Sequence, residues 1–237
     1  YTGIMQIWRG AHDSAWETIQ QELSAAYLGD GLPIVPPTAE RVSAMLSANG
    51  YKPETEIAAL PPGFATATAG DIAICAVMAG CKAEYFPVLI AAVDALADMN
   101  FNLVGIATTT GSAAPMYIIN GPIAETIGLN AGNNALGSGH RANATIGRAM
   151  TLILQNIGGA IPGETDMATL GQPAKYACCF AENTTESPWP PLHVERGFAA
   201  DANVVTVVGI SGTIEVNDSD SQQADGMAQT FAQSMLI

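Results

Sequence analysis

The sequence is poor in positive charge. Its 237 residues include 8 Lys and Arg against 22 Asp and Glu, a formal net charge of −14. A nucleic-acid-binding surface needs clustered Lys and Arg, and attachment to an anionic membrane needs them too. No uninterrupted apolar run reaches the roughly 18–20 residues of a membrane-spanning helix; the longest candidate, 87–97, is broken by Asp94. We therefore predict no nucleic-acid partner and no membrane span.

Histidine and cysteine are also scarce. The three histidines, His12, His140 and His193, stand in unrelated contexts, and the four cysteines form no CxxC motif. This spacing predicts no protein-bound metal, and any cofactor stays unassigned. The compartment stays open, with the cytoplasm favoured. Because residue 1 is Tyr rather than Met, it is also open whether the native start lies upstream.

Apolar residues are plentiful, at 49% of the chain against 13% charged residues. This composition supports a large core and excludes general disorder. Helical and strand patterns are mixed without regular βα alternation, and no linker or repeat divides the chain. We therefore predict a single domain over residues 1–237, of the α+β or mixed α/β class, with a mixed sheet packed against helices. Residues 1–50 have an alternative role as a helical arm that packs on a neighbouring subunit.

Capping signals and apolar periodicity predict the individual elements. Ser14 and Glu17 form a capping box for the first helix, which stops at Gly29, and the proline-rich segment 29–38 is predicted to be extended. Further helices are predicted at 38–48, 71–79, 84–99, 142–157 and 222–235. Strands are predicted at 57–60, 64–68, 101–108, 115–119, 176–181, 192–195 and 204–210, with a further candidate at 213–216.

The segment Gly-Ser-Gly-His-Arg-Ala-Asn-Ala-Thr, residues 137–145, leads directly into a predicted helix. Free backbone amides and the helix dipole make such a start an anion site, and an arginine adds a bidentate donor. A histidine there exchanges protons near neutral pH. The alternative is a glycine-rich turn with an ordinary cap and a surface arginine. The predicted residues are Ser138, Gly139, Arg141 and Asn143 for substrate binding and His140 for catalysis.

Carboxylates and a rigid Trp-Pro-Pro turn follow the predicted strand 176–181. Side chains at the end of a strand are well placed to line a pocket. We predict Glu182 as a second acid–base residue and Trp189 as a substrate contact. The alternative is that Glu182 caps a loop or pairs with Lys175 or Arg148.

Cys81 is the candidate nucleophile. It falls just before a predicted helix start and next to Lys82, and both features lower the pKa of a thiol. The alternative is a small residue at a tight corner between helices.

Uncharged polar side chains stand at the ends of two predicted strands. Thr109 follows the strand predicted at 101–108, and Asn120 follows the strand predicted at 115–119. Hydroxyl and amide groups in such places suit a small polar ligand, so we predict both as substrate-binding residues. Ordinary turn chemistry, which uses the same residue types, is the alternative.

Four segments have a distinctive sequence: GDGLPIVPPT at 29–38, AVMAGC at 76–81, GHRANATIGR at 139–148 and SPW at 187–189. Together they resemble a poorly described bacterial family associated with UGSC-motif (seleno)proteins, over residues 27–210. The resemblance implies thiol or selenol redox chemistry in a partner domain, and with it a UGSC-type partner chain. Because the chain contains no Cys-Gly-Ser-Cys, the redox centre would lie on a partner or a missing segment, or Cys81 would act alone.

These features predict an enzyme that acts on a small anionic or carbonyl-bearing organic molecule. Acid–base chemistry, and thiol chemistry through Cys81, are the candidate mechanisms; lyase, hydrolase and thiol-redox reactions all stay open. The alternative is a non-catalytic structural or binding subunit of a larger complex. The low charge and the high Ala and Gly content favour a homo-oligomer in either case.

Overall fold

The fold is built around a helix that is buried on every side. In the computed structural model, which describes residues 16–236, this helix is α3 (Ala69–Ala79). It begins at a capping box between Thr68 and Asp71 and ends at Gly80, whose φ of 88° is left-handed. A helix that is apolar all round must be enclosed by other elements. The helices α2 (Ala39–Ala48), α4 (Phe86–Ala97) and α7 (Arg141–Asn156) pack around it.

The remaining elements complete a mixed arrangement of helices and short strands. The other helices are α1 (Trp16–Ala25), α5 (Leu103–Ala107), α6 (Pro122–Thr126), α8 (Leu192–Glu195) and α9 (Ala224–Ser234). The strands are β1 (Glu56–Leu60), β2 (Ala65–Thr68), β3 (Ala114–Asn120), β4 (Cys179–Ala181) and β5 (Val204–Ile210). Short 3-10 turns lie at Ala83–Tyr85, Met99–Phe101 and Pro173–Lys175. No helix within the described range is long and apolar enough to cross a bilayer.

The strands form two small sheets. β1 and β2 make an antiparallel hairpin, whereas β3 lies at the centre of a three-stranded sheet, parallel to β4 and antiparallel to β5. In this sheet Tyr117 of β3 stands between Cys179 of β4 and Val207 of β5. The fold is therefore a single mixed α+β domain with a mixed sheet packed against helices, and the predicted fold class is confirmed.

An extended segment, which we call the strap (residues 29–35), runs across α7. Gln20 of α1 holds both the N–H and the C=O of Ile34, at 2.8 and 2.9 Å. The Asp30 carboxylate accepts two hydrogen bonds from the Arg148 guanidinium, at 2.7 and 2.8 Å. The prediction that this proline-rich segment is extended is confirmed, and side chains of two helices fix its position.

The predicted strand at 101–108 is wrong, because these residues form a 3-10 turn followed by α5. The Asp98 carboxylate accepts from the N–H of Asn100 and starts the turn. The Asn102 side chain accepts from the N–H of Gly105, with Asn102 itself in the left-handed region at a φ of 53°. Local side-chain caps thus outweigh the apolar, β-prone sequence.

The predicted strand at 192–195 is also wrong, because these residues form the short helix α8. The N–H of Leu192 donates to the Glu182 carboxylate, which thereby caps the helix from a distant loop. A sequence pattern cannot reveal a cap supplied from ten residues away. The candidate strand at 213–216 has no regular secondary structure.

The N-terminal stretch contributes to the chain's own core wherever it is described. Ser14, part of the predicted capping box, and His12 lie outside the described residues. That residues 1–50 also reach a neighbouring subunit stays a prediction. The core residues within this stretch are Ile19, Leu23, Ile34, Val42, Met45 and Leu46.

The ion pair between Asp30 and Arg148 yields a stability prediction. The two side chains are only 4% and 14% exposed. Burial raises the pKa of Asp30, but the hydrogen bonds and charge of Arg148 outweigh it and hold that pKa below its usual value. Asp30→Asn leaves the arginine without its counter-charge. We expect a loss of about 3 kcal/mol in the free energy of unfolding at neutral pH, measured by urea denaturation.

The pH dependence of this loss checks its cause. A carboxyl group with a depressed pKa in the folded state contributes stability above its unfolded-state pKa, and the contribution disappears as the pH falls through the folded-state pKa. The difference between wild type and Asp30→Asn should therefore shrink below about pH 4. The exposed Glu40→Gln serves as the control and should change little. A loss that is independent of pH would contradict the ion-pair explanation.

Candidate functional site

The predicted anion site before α7 lies on the surface. Ser138, Gly139 and His140 are exposed, and the His140 side chain makes no capping hydrogen bond although it occupies the N-cap position. The guanidinium of Arg141 donates twice to the carbonyl oxygen of Gly80, at 3.0 and 2.8 Å. These bonds tie the start of α7 to the end of α3. The Arg141 guanidinium is therefore engaged in a structural contact through Nε and one of its terminal nitrogens.

Asn143 is buried and holds the preceding loop in place. Its side-chain oxygen accepts from the N–H of Asn130 at 2.8 Å. Its amide donates to the carbonyl oxygens of Asn130 and Ala135, at 3.0 and 3.1 Å. Three of the hydrogen bonds that an asparagine side chain can make are thus used on the backbone. Asn143 also lines a pocket of about 400 Å³ beside the start of α7.

Cys81 does not have the lowered pKa that the sequence analysis expected. The thiol is buried and donates to the carbonyl oxygen of Thr145 at 3.2 Å. Burial raises the pKa of Cys81 to about 12, and the charges of Arg141 and Arg148 only partly offset it. Lys82 is paired with Glu84 at 3.2 Å. The lowered pKa expected for this thiol is therefore not found, because desolvation outweighs the neighbouring positive charges, and the role of Cys81 as a nucleophile stays a prediction.

Glu182 and Asn120 are brought together by the fold. Glu182 follows β4, and its carboxylate accepts from the side-chain amide of Asn120 at 2.5 Å and from the N–H of Leu192 at 2.9 Å. The carboxylate pairs with neither of the cations considered for it: Lys175 is bonded to Asp166 and Arg148 to Asp30. Capping of a loop, the alternative reading of Glu182, describes these contacts.

The last two predicted site residues, Thr109 and Trp189, make local turn hydrogen bonds. The Thr109 hydroxyl accepts from the N–H of Gly111 at 3.0 Å, as a turn residue does. Trp189 is 73% exposed, and its backbone N–H donates to the hydroxyl of Ser187. Of the predicted site residues, Asn120 and Glu182 are bonded to each other, and Asn143 alone lines the pocket beside the start of α7.

A cleft of about 1160 Å³, which the sequence did not predict, lies beside α7. Its walls are the strap, one side of α7 and the irregular segment 160–178, and its lining includes Tyr117 of the sheet. None of the predicted site residues lines it. A concavity of this size, mostly apolar with a few polar groups, is the usual form of a small-molecule site. We take this cleft as the candidate functional site.

Two ion pairs border the cleft. Asp30 of the strap pairs with Arg148, and Asp166 pairs with Lys175 at 2.6 Å. The side chains of Lys175 and Asp166 are 21% and 17% exposed, so this second pair keeps some contact with the interior of the cleft. Because each carboxylate has its own cation, the formal charges around the cleft cancel.

The amide and hydroxyl groups of the walls are largely engaged with the backbone. Gln155 donates to the carbonyl oxygen of Gly29, and Thr151 donates to that of Lys175. Gln172 donates to the carbonyl oxygens of Ser112 and Ile210, which joins the segment 160–178 to the sheet. These bonds stiffen the walls and leave few polar groups for a ligand.

Tyr117 is the exception among the lining residues. It is 3% exposed, and its hydroxyl has no hydrogen-bond partner anywhere in the described chain. Burial raises the pKa of this phenol well above its usual value, so the group stays neutral and keeps its proton. Buried hydroxyls are normally satisfied, and an unsatisfied one on a residue that lines a cleft favours a partner that residues 16–236 do not supply.

Other kinds of site find less support in the described residues. Within residues 16–236, no group of three or more His, Cys, Asp and Glu side chains is placed to hold a metal ion. His193, one of the three histidines, is buried in α8 with Nε2 3.3 Å from the carbonyl oxygen of Ala200, rather than in a strand.

Comparison with known proteins found no family model, no curated protein and no solved structure that matches the chain. The resemblance to the UGSC-associated family, and the partner chain that it implies, therefore stay predictions.

The raised pKa of Cys81 predicts an unreactive thiol. In the native protein, iodoacetamide at mildly alkaline pH should leave Cys81 unmodified, because the thiolate is scarcely populated and the sulfur is buried. In denaturant the same residue should be alkylated at the rate of an ordinary cysteine. Peptide mass spectrometry after each treatment gives the answer. Rapid labelling of Cys81 in the folded protein would restore it as a nucleophile.

Proposed function

We propose that the chain binds a small carbonyl-bearing organic molecule in the cleft and acts on it by acid–base chemistry. The observation that carries the proposal is that Tyr117 lines the cleft and that its buried hydroxyl has no hydrogen-bond partner among the described residues. A buried hydroxyl without a partner costs about 1–3 kcal/mol. A ligand oxygen that accepts a hydrogen bond from it removes this penalty and so favours binding. Because the hydroxyl is buried, the side chains that cover it must move for this contact to form.

A neutral carbonyl compound suits the cleft better than an anion. Lys175, which lines the cleft, is already neutralised by Asp166, and Arg148 is neutralised by the lining carboxylate of Asp30. An anion would lose its hydration and gain no free positive charge, which is unfavourable. The remaining walls are lined by apolar side chains, among them Ile34, Leu154 and Ile161.

The Lys175–Asp166 pair is the acid–base group of the proposal. It is the more exposed of the two ion pairs, and both side chains line the cleft. We assign Asp166 as the base that takes a proton from the carbon next to the carbonyl, with Lys175 orienting it. The Tyr117 hydroxyl, by donating to the carbonyl oxygen, would stabilise the negative charge that then develops there.

Thiol chemistry has no part in this proposal. Cys178 is the cysteine that lines the cleft within the described chain, and burial raises the pKa of its thiol. Cys81, the nucleophile expected from the sequence, does not line the cleft.

A second candidate function is binding without catalysis. It is favoured by the engagement of the wall side chains Gln155, Thr151 and Gln172 with the backbone, which gives a stiff receptor with few reactive groups. A passive binding subunit would use Tyr117 in the same way but would release its ligand unchanged.

Matched probe molecules test the binding step. Acetophenone and ethylbenzene have nearly the same shape, and only the first carries a carbonyl. Saturation-transfer NMR should show acetophenone bound more tightly than ethylbenzene. Tyr117→Phe should weaken acetophenone binding by about threefold to tenfold, since a neutral hydrogen bond contributes about 0.5–1.5 kcal/mol, and should leave ethylbenzene unaffected. Equal affinities in the wild-type protein would overturn the role of Tyr117.

Two further variants locate the site. Ala113→Trp places a large side chain in the lining of the cleft and should abolish binding of both probes, whereas Ala199→Trp, at an exposed residue outside the lining, should not. His140→Ala should leave acetophenone binding unchanged. If His140→Ala abolishes binding and Ala113→Trp does not, the site lies at the start of α7 and not in the cleft.

Deuterium exchange tests the chemical step. If Asp166 acts as the base, the protein should accelerate exchange of the acetophenone methyl protons with D2O, followed by proton NMR. Asp166→Asn should bind acetophenone but lose the acceleration. If the wild-type protein binds acetophenone but does not accelerate proton exchange, the result contradicts catalysis and favours the second candidate function, binding without catalysis.

A further inference from the structure

The opening of the cleft is bordered by large apolar side chains. Four of them line the cleft although water reaches much of their surface, so they lie at its rim rather than at its buried end. We call them the rim cluster: Tyr27, Leu32, Leu170 and Tyr176, which are 84%, 45%, 92% and 56% exposed. Single exposed apolar side chains are normal, but several that border one cleft are typical of a ligand-binding groove.

The rim cluster is supplied by two walls of the cleft. Leu32 belongs to the strap, and Tyr27 lies in the turn that leads into it. Leu170 and Tyr176 belong to the irregular segment 160–178. A ligand that extends through the opening therefore meets apolar surface from both of these walls, which increases the area that it can bury.

The buried end of the cleft has a different chemical character. Tyr117 lines the cleft but is only 3% exposed, and its hydroxyl has no partner among the described residues. The cleft thus has a hydrogen-bond donor at its buried end and apolar side chains at its rim. A ligand that matches both ends is amphipathic, with one polar head and an apolar tail.

The charges of the lining exclude a charged tail. The charged side chains that line the cleft within the described chain are Asp30, Asp166 and Lys175, and each of them already has a partner of opposite charge. The rim cluster contains no carboxylate and no cationic group. A charged tail would therefore lose hydration without gaining a partner, whereas an apolar tail gains from leaving water.

The volume of the cleft indicates a long ligand. Clefts of roughly 300–1,000 Å³ hold drug-sized molecules, and this one measures about 1160 Å³. A ketone as small as acetophenone would fill a minor part of that space. Its contacts could not reach from the buried end of the cleft to the rim cluster.

We propose that the cleft takes a carbonyl compound with a long, uncharged apolar tail. The carbonyl group lies toward Tyr117, and the tail runs out between the strap and the segment 160–178, against the rim cluster. This assignment rests on the proposed function for the carbonyl end and narrows its substrate class to amphipathic ketones and aldehydes. The tail contributes to affinity in proportion to the apolar area that it buries.

Two isomers of butylacetophenone test the tail. The para isomer carries its butyl chain opposite the carbonyl group, toward the opening, whereas the ortho isomer carries the same chain beside it. In NMR titrations the para isomer should bind about tenfold or more tightly than acetophenone, because each buried methylene contributes up to about fourfold. The ortho isomer should gain less. Equal affinities of the two isomers, or no gain over acetophenone, would overturn the proposal.

Tyr27→Gly tests the rim cluster without disturbing the fold. Tyr27 ends α1 with a φ of 57°, and its N–H donates to the carbonyl oxygen of Ser24. Glycine adopts this left-handed conformation more easily than tyrosine. The variant should therefore keep or raise the Tm, yet bind para-butylacetophenone about threefold to tenfold more weakly, as one apolar contact is lost. Acetophenone binding should not change.

Phe64→Gly is the matched control. Phe64 is also an exposed aromatic residue in the left-handed region, with a φ of 55°, but it does not line the cleft. This variant should bind para-butylacetophenone as the wild-type protein does. If Tyr27→Gly leaves that affinity unchanged, or if Phe64→Gly lowers it by as much, the rim cluster does not hold the tail.

The proposed function and this inference fail separately. If the para isomer depends on Tyr27 but neither ketone responds to Tyr117→Phe, the role of the carbonyl group is wrong and the tail site is supported. If acetophenone responds to Tyr117→Phe but the butyl chain adds no affinity, the proposed function is supported and the inference about the tail is overturned.

Discussion

The enclosure of α3 is the constraint on which the rest of the structure depends. This helix is apolar on every side, so α2, α4 and α7 must surround it. α7 approaches the sheet region so closely that a Cβ on Gly147 would lie 2.8 Å from the backbone nitrogen of Cys178. The next residue, Arg148, holds the strap through Asp30. One helix thus closes the core and also forms a wall of the cleft, which couples the site to the folding of the whole domain.

The elements that sequence reasoning predicted correctly carry their own signals. The proline-rich strap and the uniformly apolar α3 could be recognised because the reasons for their conformation lie within the segment itself. The wrong predictions concern segments whose secondary structure is determined by a particular side-chain contact. Residues 101–108 are helical because Asn102 caps the backbone, and residues 192–195 because Glu182 reaches across from another loop. The apolar patterns of both segments are equally typical of strands.

The site was harder to predict than the fold, because reactive residue types do not show where they are used. Arg141 and Asn143 suit a ligand in principle, but both are engaged with the backbone. Tyr117 resembles any core aromatic of a strand, and its unpartnered hydroxyl is a property of the folded chain alone. The Asp30–Arg148 pair joins residues 118 positions apart, a distance that no local pattern can bridge. The residues that line the cleft were not among the candidates found from sequence, because only the tertiary structure brings them together.

Where the charged side chains lie matters more for binding than the net charge of −14. At the cleft, each of the two lining carboxylates, Asp30 and Asp166, has a cation as its partner. The cleft is therefore close to neutral in a strongly acidic protein. A neutral surface against such a background favours a neutral ligand, because it has no free cation to offer to an anion. The distribution of charge thus favours a carbonyl compound in the cleft, a ligand that the net charge alone would not suggest.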